Sequence, residues 1–150
     1  MKPTMTLALL LISLTLVQTT TAQTSSPTGN ITVTITGIRN AKGQVLISLY
    51  DKAEGFPKDL DAVVQGKAVS PDTTAQVTVI FEDLPFGDYA VAVLHDEDSS
   101  SGMTFGKFRI PKEGYCFSNN VKVRFKSPKF KKASFVLDKD NVTQILRMRY

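Results

Sequence analysis

The chain has 150 residues, 42% of them hydrophobic and 21% charged, with one Cys, one His and no Trp. That length holds one domain, and the composition excludes disordered and collagen-like chains. A single Cys excludes an internal disulfide framework, a Cys-based zinc site and a CxxC redox pair.

The formal net charge of +4 conceals a polarity along the chain. Residues 23–106 carry 5 basic and 11 acidic side chains, whereas residues 107–150 carry 12 basic and 3 acidic.

In chain order, the first expected element is an export signal. Lys2 gives a positive start, and residues 6–17, TLALLLISLTLV, hold no charge. Such a run spans only ~18 Å as a helix, short of the ~30 Å of a bilayer core. Small polar residues follow, with Thr20 and Ala22 placed as before a cleavage site. The sequence therefore predicts a signal peptide over 1–22, a flexible leader over 23–29 and one domain over 30–150. No Cys follows the apolar run, which argues against a lipid anchor. The expected location is secreted, periplasmic or cell-surface, with no transmembrane segment in the mature chain. Oxidising compartments favour paired thiols. Cys116, alone and flanked by Tyr115 and Phe117, is expected to be buried.

The rest reads as strands. Ile31–Thr36 alternates apolar residues with Thr, the period of a half-buried strand. Gln44–Tyr50 is more continuously apolar and so more buried. A polar loop over 51–61 leads to a short strand over 62–69. Ala75–Phe81 alternates again, Glu82–Asp88 is a turn, and Tyr89–Leu94 is the cleanest central strand. Val121–Phe125, Ala133–Leu137 and Val142–Met148 complete the set. No stretch carries a capped helical stripe. Strands at roughly ten-residue spacing predict an all-β fold, a single β-sandwich of seven to nine mostly antiparallel strands with Greek-key connections, transthyretin-like or Ig-like. In Leu84-Pro85-Phe86-Gly87-Asp88-Tyr89 a turn runs into a strand that starts with Tyr, whose hydroxyl can return to the backbone just upstream and pin a crossover between sheets.

Two regions could carry chemistry. His95, the only His, ends the central strand and is followed by Asp96-Glu97-Asp98 and Ser99-Ser100-Ser101-Gly102. Adjacent carboxylates of this kind suit Ca²⁺, and Asp96, Glu97 and Asp98 are the candidate metal ligands. The EF-hand pattern fails, because Ser101 stands where Gly is required and Lys107 where Glu is required. Ile110–Asn120 combines aromatic and short polar side chains, a mixture suited to a carbohydrate or other small ligand. The same Asn residues could equally cap turns. His95, Asp96, Tyr115, Ser118, Asn119 and Asn120 form the candidate ligand site, on the expectation that both loops meet at one end of the sandwich.

The basic region 107–132 suits an anionic surface such as acidic glycan or phospholipid headgroups. A strand over Lys122-Val123-Arg124-Phe125-Lys126 would put its three cations on one face, where solvation or edge protection also explains them. No aromatic RNA-binding motif supports nucleic acid as a partner. Enzyme signatures are missing: there is no GxSxG, no Gly-rich phosphate loop and no sequence-placed carboxylate pair. Asn30-Ile31-Thr32 and Asn141-Val142-Thr143 match the glycosylation sequon.

An ordered set of these residues resembles the bacterial secreted family catalogued as domain of unknown function 2141. It comprises Gly43-Gln44-Val45, Leu49-Tyr50-Asp51, Gly55-Phe56-Pro57, Phe81 with Asp83-Leu84-Pro85, and Gly87-Asp88-Tyr89-Ala90-Val91-Ala92-Val93. His95-Asp96-Glu97, Ile110-Pro111-Lys112-Glu113-Gly114-Tyr115 and Phe117-Ser118-Asn119-Asn120 follow. The resemblance implies a small exported β-sandwich without an assigned activity. In many members the segment after His-Asp-Glu continues with Asn and Gly, resembling a calcium loop; here it reads Asp98-Ser99-Ser100-Ser101-Gly102. The Leu-Pro-x-Gly-x-Tyr turn is also similar to transthyretin-like accessory domains. The resulting expectation is a non-enzymatic binding or accessory module for a carbohydrate or divalent cation. The alternatives are a small hydrolase using His95 and the neighbouring carboxylates, or a structural envelope protein.

Overall fold

The computed structural model describes residues 26–123 and 126–150. The expected signal peptide therefore lies outside the described residues. Eight strands follow in chain order: β1 (Thr28–Thr36), β2 (Gln44–Tyr50), β3 (Gln65–Val69), β4 (Gln76–Pro85), β5 (Gly87–Asp96), β6 (Gly114–Phe117), β7 (Phe135–Leu137) and β8 (Asn141–Arg147). One short helix, α1 (Phe130–Ala133), precedes β7.

The strands form two sheets. One has the order β4-β1-β8, the other β3-β2-β5-β6, with β7 pairing against the first residues of β5. Every pairing is antiparallel except β1 with β8, which is parallel over Asn30–Thr36 and Asn141–Arg147. This is an all-β sandwich, as the strand spacing predicts.

Side-chain alternation explains which faces are covered. In β1, Ile31, Val33 and Ile35 point inward and are fully buried, while the intervening Thr residues face outward. Val77, Val79 and Phe81 of β4 do the same. They meet Val45, Ile47 and Leu49 of β2 and Tyr89, Val91 and Val93 of β5 in one core. Each such fully buried side chain contributes about 1.5–3 kcal/mol. β5 is apolar on both rows because its other face is covered too. Ala90 packs with Phe117, Ala133, Phe56 and Phe130 in a second cluster outside the β2–β5 sheet. Strands covered on both faces read as continuous apolar runs, and strands covered on one face alternate.

Several boundaries differ from the sequence expectation. Thr28 and Gly29, assigned to the leader, already pair with Pro85 and Leu84. The turn expected over 82–88 shrinks to Phe86, where the chain passes from β4 in one sheet to β5 in the other. The Tyr89 hydroxyl donates to the Pro85 carbonyl at 2.8 Å and pins that crossover, as anticipated. Of the basic strand expected over 121–125, Val121–Val123 are irregular, and Arg124 and Phe125 lie outside the described residues. Val121 and Val123 pack on the second cluster instead of joining a ladder. The four-residue β6 was expected to be loop; it forms because Gly114–Phe117 completes the far edge of β5.

Candidate functional site

β5 ends between two glycines that permit close packing. His95 extends the inward row of Tyr89, Val91 and Val93 and is completely buried. Its Nε2 lies 2.9 Å from the Lys42 carbonyl and its Nδ1 lies 2.8 Å from the Tyr150 hydroxyl. A carbonyl only accepts, so Nε2 donates to Lys42, and Nδ1 shares a hydrogen bond with the Tyr150 hydroxyl. The Tyr150 oxygen in turn accepts the Arg39 backbone N–H at 3.0 Å. The Arg39 guanidinium sits 4.2 Å from the Tyr150 ring centroid, a cation–π contact. Both neighbours of this chain must be glycine. A Cβ on Gly43, at φ +61°, would overlap the Asp96 carbonyl oxygen, and one on Gly114 would overlap the Tyr150 ring. Neither nitrogen of His95 is left for a substrate or a metal.

The carboxylates diverge from this point. Asp96 is buried, with Oδ2 accepting from Gln44 Nε2 and the Ser101 N–H, both at 2.9 Å, and Oδ1 accepting the Ser100 N–H at 2.9 Å. Asp98 is exposed and accepts from the Ser100 N–H at 3.1 Å and the Thr104 hydroxyl at 2.9 Å. Those hydrogen bonds, that of Ser100 foremost, hold its carboxyl below the usual range. Glu97 turns away. It pairs with the Arg39 guanidinium and accepts from Asn40 Nδ2 at 3.0 Å. Partial burial pushes its carboxyl upward, but the bonds from Asn40 and Arg39 outweigh that and hold it below the usual value.

A third acid takes the place expected for Glu97. Glu113, just before β6, is buried and accepts the Glu97 N–H at 3.0 Å and the Thr104 N–H at 2.7 Å. Oxygens of Asp96, Asp98 and Glu113 all lie within 4.8 Å of one another. Asp96 Oδ2 is filled by two donors, whereas Asp96 Oδ1 and both Glu113 oxygens each take one N–H and keep a second lone pair. Asp98 and Glu113 line a shallow depression of about 330 Å³ together with Arg39, Lys42, Glu97, Thr104 and Lys112. Glu113 sits sixteen positions after Glu97. Only the pairing of Gly114 with His95 brings it to Asp96, and that register is not visible in local spacing.

The second half of the expected ligand site lies elsewhere. Tyr115 pairs with Leu94, beside His95, and exchanges backbone hydrogen bonds with Arg149 at 2.9 and 3.0 Å. Ser118, Asn119 and Asn120 belong to the opposite end of β6. Ser118 is fully buried against Val91, four residues before His95 and so about 13 Å along the strand. Its oxygen accepts the Val91 N–H at 2.8 Å and its hydroxyl donates to the Ala133 carbonyl at 2.6 Å. Asn119 Nδ2 donates to the Ser134 carbonyl at 2.8 Å and the Ala133 carbonyl at 3.1 Å. Asn120 donates to the Ile145 carbonyl and accepts the Arg147 N–H, both at 2.8 Å, so one side-chain amide substitutes for a strand beside β8. The two loops do not share one end of the sandwich, and the polar groups of 118–120 are committed to the main chain.

The remaining groups fall on the same two ends. Lys107, Arg109 and Lys112 belong to the acidic end, whereas Lys122, Lys126, Lys129 and Lys132 line a separate depression of about 310 Å³. Cys116 is buried, and burial pushes its thiol up to about 12, so it stays protonated at neutral pH. Among the described residues no helix is long and apolar enough to cross a membrane.

A family model described as an uncharacterized protein conserved in bacteria, DUF2141, matches residues 33–145. The chain belongs to that family. No curated protein and no solved structure matches it.

Proposed function

We propose that this DUF2141 protein is an exported, non-enzymatic binding module whose ligand is a divalent cation of the calcium class, taken by Asp96, Asp98 and Glu113. One observation carries the reading: carboxylates from two separate segments converge to within 4.8 Å around free oxygen lone pairs. Calcium takes six to eight oxygen ligands in flexible geometry. The loop 96–104 already folds around Asp96 through the Ser100 and Ser101 N–H groups. Export rests on Lys2 and the uncharged run over 6–17. The hydrolase alternative loses its base, because both His95 nitrogens are engaged in the interior. The carbohydrate reading loses support because Ser118, Asn119 and Asn120 bind the main chain.

Thermal unfolding of the mature domain with added CaCl₂ tests the assignment. A cation that binds only the folded state adds about 2.7 kcal/mol at one hundred times its dissociation constant. The expected result is a rise in Tm with CaCl₂ that Asp98→Asn removes. Asp98 is exposed, so that variant keeps its fold. An unchanged Tm at millimolar Ca²⁺ and Mg²⁺ overturns the assignment.

A further inference from the structure

The segment between the acidic residues and β6 forms a small lobe. The Thr104 carbonyl accepts the Lys112 N–H at 2.9 Å, and the Gly106 N–H donates to the Ile110 carbonyl at 2.8 Å. The base of the lobe is fixed by Asp98 and Glu113 through Thr104. Its tip carries Phe108, 93% exposed, with Phe105 at 51% and Ile110 at 62%. Phe108 and Arg109 both adopt positive φ, 60° and 59°, a conformation bulky residues rarely take. None of the three side chains belongs to either apolar cluster.

The three apolar side chains are interleaved with Lys107, Arg109 and Lys112, and residues 99–112 hold no acidic side chain. We infer that this lobe docks on an anionic phospholipid surface. Phe105, Phe108 and Ile110 enter the headgroup–acyl boundary while the three cations meet the headgroups. Charge selects this occupant over a symmetric pairing of two lobes, which would set each cation against its counterpart. The inference goes beyond the cation site and does not rest on it.

The chain has no Trp, so Phe108→Trp places a unique fluorophore at the tip. With phosphatidylglycerol vesicles in EDTA, its emission should shift to the blue and be quenched by brominated acyl chains. Wild-type protein should cosediment with those vesicles and be released by high salt, and phosphatidylcholine vesicles should bind at least about tenfold more weakly. Replacing Lys107, Arg109 and Lys112 together by Gln should weaken binding about a hundredfold, at the usual contribution per cation. Phe108→Asn should lose binding about tenfold or more while Tm stays level or rises, because Asn tolerates positive φ. That pairing of signs separates docking from a structural role. Unchanged emission with no cosedimentation overturns the proposal, as does equal binding to neutral vesicles or full binding by Phe108→Asn. Self-association that Phe108→Asn abolishes, without vesicle binding, would assign the lobe to a protein contact and overturn it as well. Because EDTA is present throughout, failure here leaves the calcium assignment untouched.

Discussion

The two ends of the β5–β6 pair use similar side chains to opposite effect. At one end, Ser118, Asn119 and Asn120 direct their side-chain groups onto Val91, Ala133, Ser134, Ile145 and Arg147. At the other, Asp96 and Glu113 also bind main-chain N–H groups, but the carboxylate lone pairs outnumber the donors and Asp98 stays in water. Residue type does not separate a strut from a site. Unused lone pairs do, and Asp98 and Glu113 keep them at the acidic end beside the exposed Phe108.

The largest expected effect breaks the fully buried imidazole at the acidic end. His95→Ala opens a cavity and strands the Lys42 carbonyl and the Tyr150 hydroxyl, at a cost of about 3–4 kcal/mol. Denaturant titration should show it as a lowered midpoint with unchanged slope. If His95→Ala unfolds normally but loses ligand response, the imidazole belongs to the site after all.

Ser118→Ala should come next. It leaves the buried Val91 N–H and Ala133 carbonyl unpaired, costing about 2 kcal/mol, yet the calcium-dependent rise in Tm should persist. Loss of that rise would join the two ends into one functional unit.

Acid should then act through Glu97. Its carboxyl is held below the ordinary value of 4.5 in the folded state. The stabilisation it brings is therefore present above pH 4.5 and lost as pH falls through the lower folded value. Glu97→Gln should flatten that acid limb in pH-dependent unfolding, and an identical limb in the variant would refute the Arg39 and Asn40 contacts as its cause. The smallest effect concerns Cys116. With its thiol pushed up to about 12, iodoacetamide at pH 8 should label it only when the protein is unfolded.

Much of the sandwich was legible because inward and outward residues alternate wherever only one face is covered. Ile31–Thr36 and Gln76–Phe81 declare their sheet by that period alone. β6 was not legible: Gly114-Tyr115-Cys116-Phe117 is too short to show a period and is defined by β5 beside it. The basic alternation at Lys122–Lys126 misled for the complementary reason, since Val121 and Val123 pack on Phe117 and Ala133 without a strand partner. At the site, Asp96 and Asp98 were visible as neighbours. Glu113 was not, because its proximity is a matter of register, and the hold of Arg39 and Asn40 on Glu97 comes from a distant turn that no local spacing shows. Phe108 gave no periodic signal; its meaning lies in an exposure that no local pattern reports.

The parallel pairing of β1 with β8 has a consequence in time. Thr32 bonds to Asn141 across 109 positions. Ribosomes add about 5–20 residues per second, so β1 waits roughly 5–20 s, with one edge open, for the strand that closes it. Throughout that interval the growing chain lacks the ladder that completes its first sheet. The first sheet is completed only after Arg147 has been made.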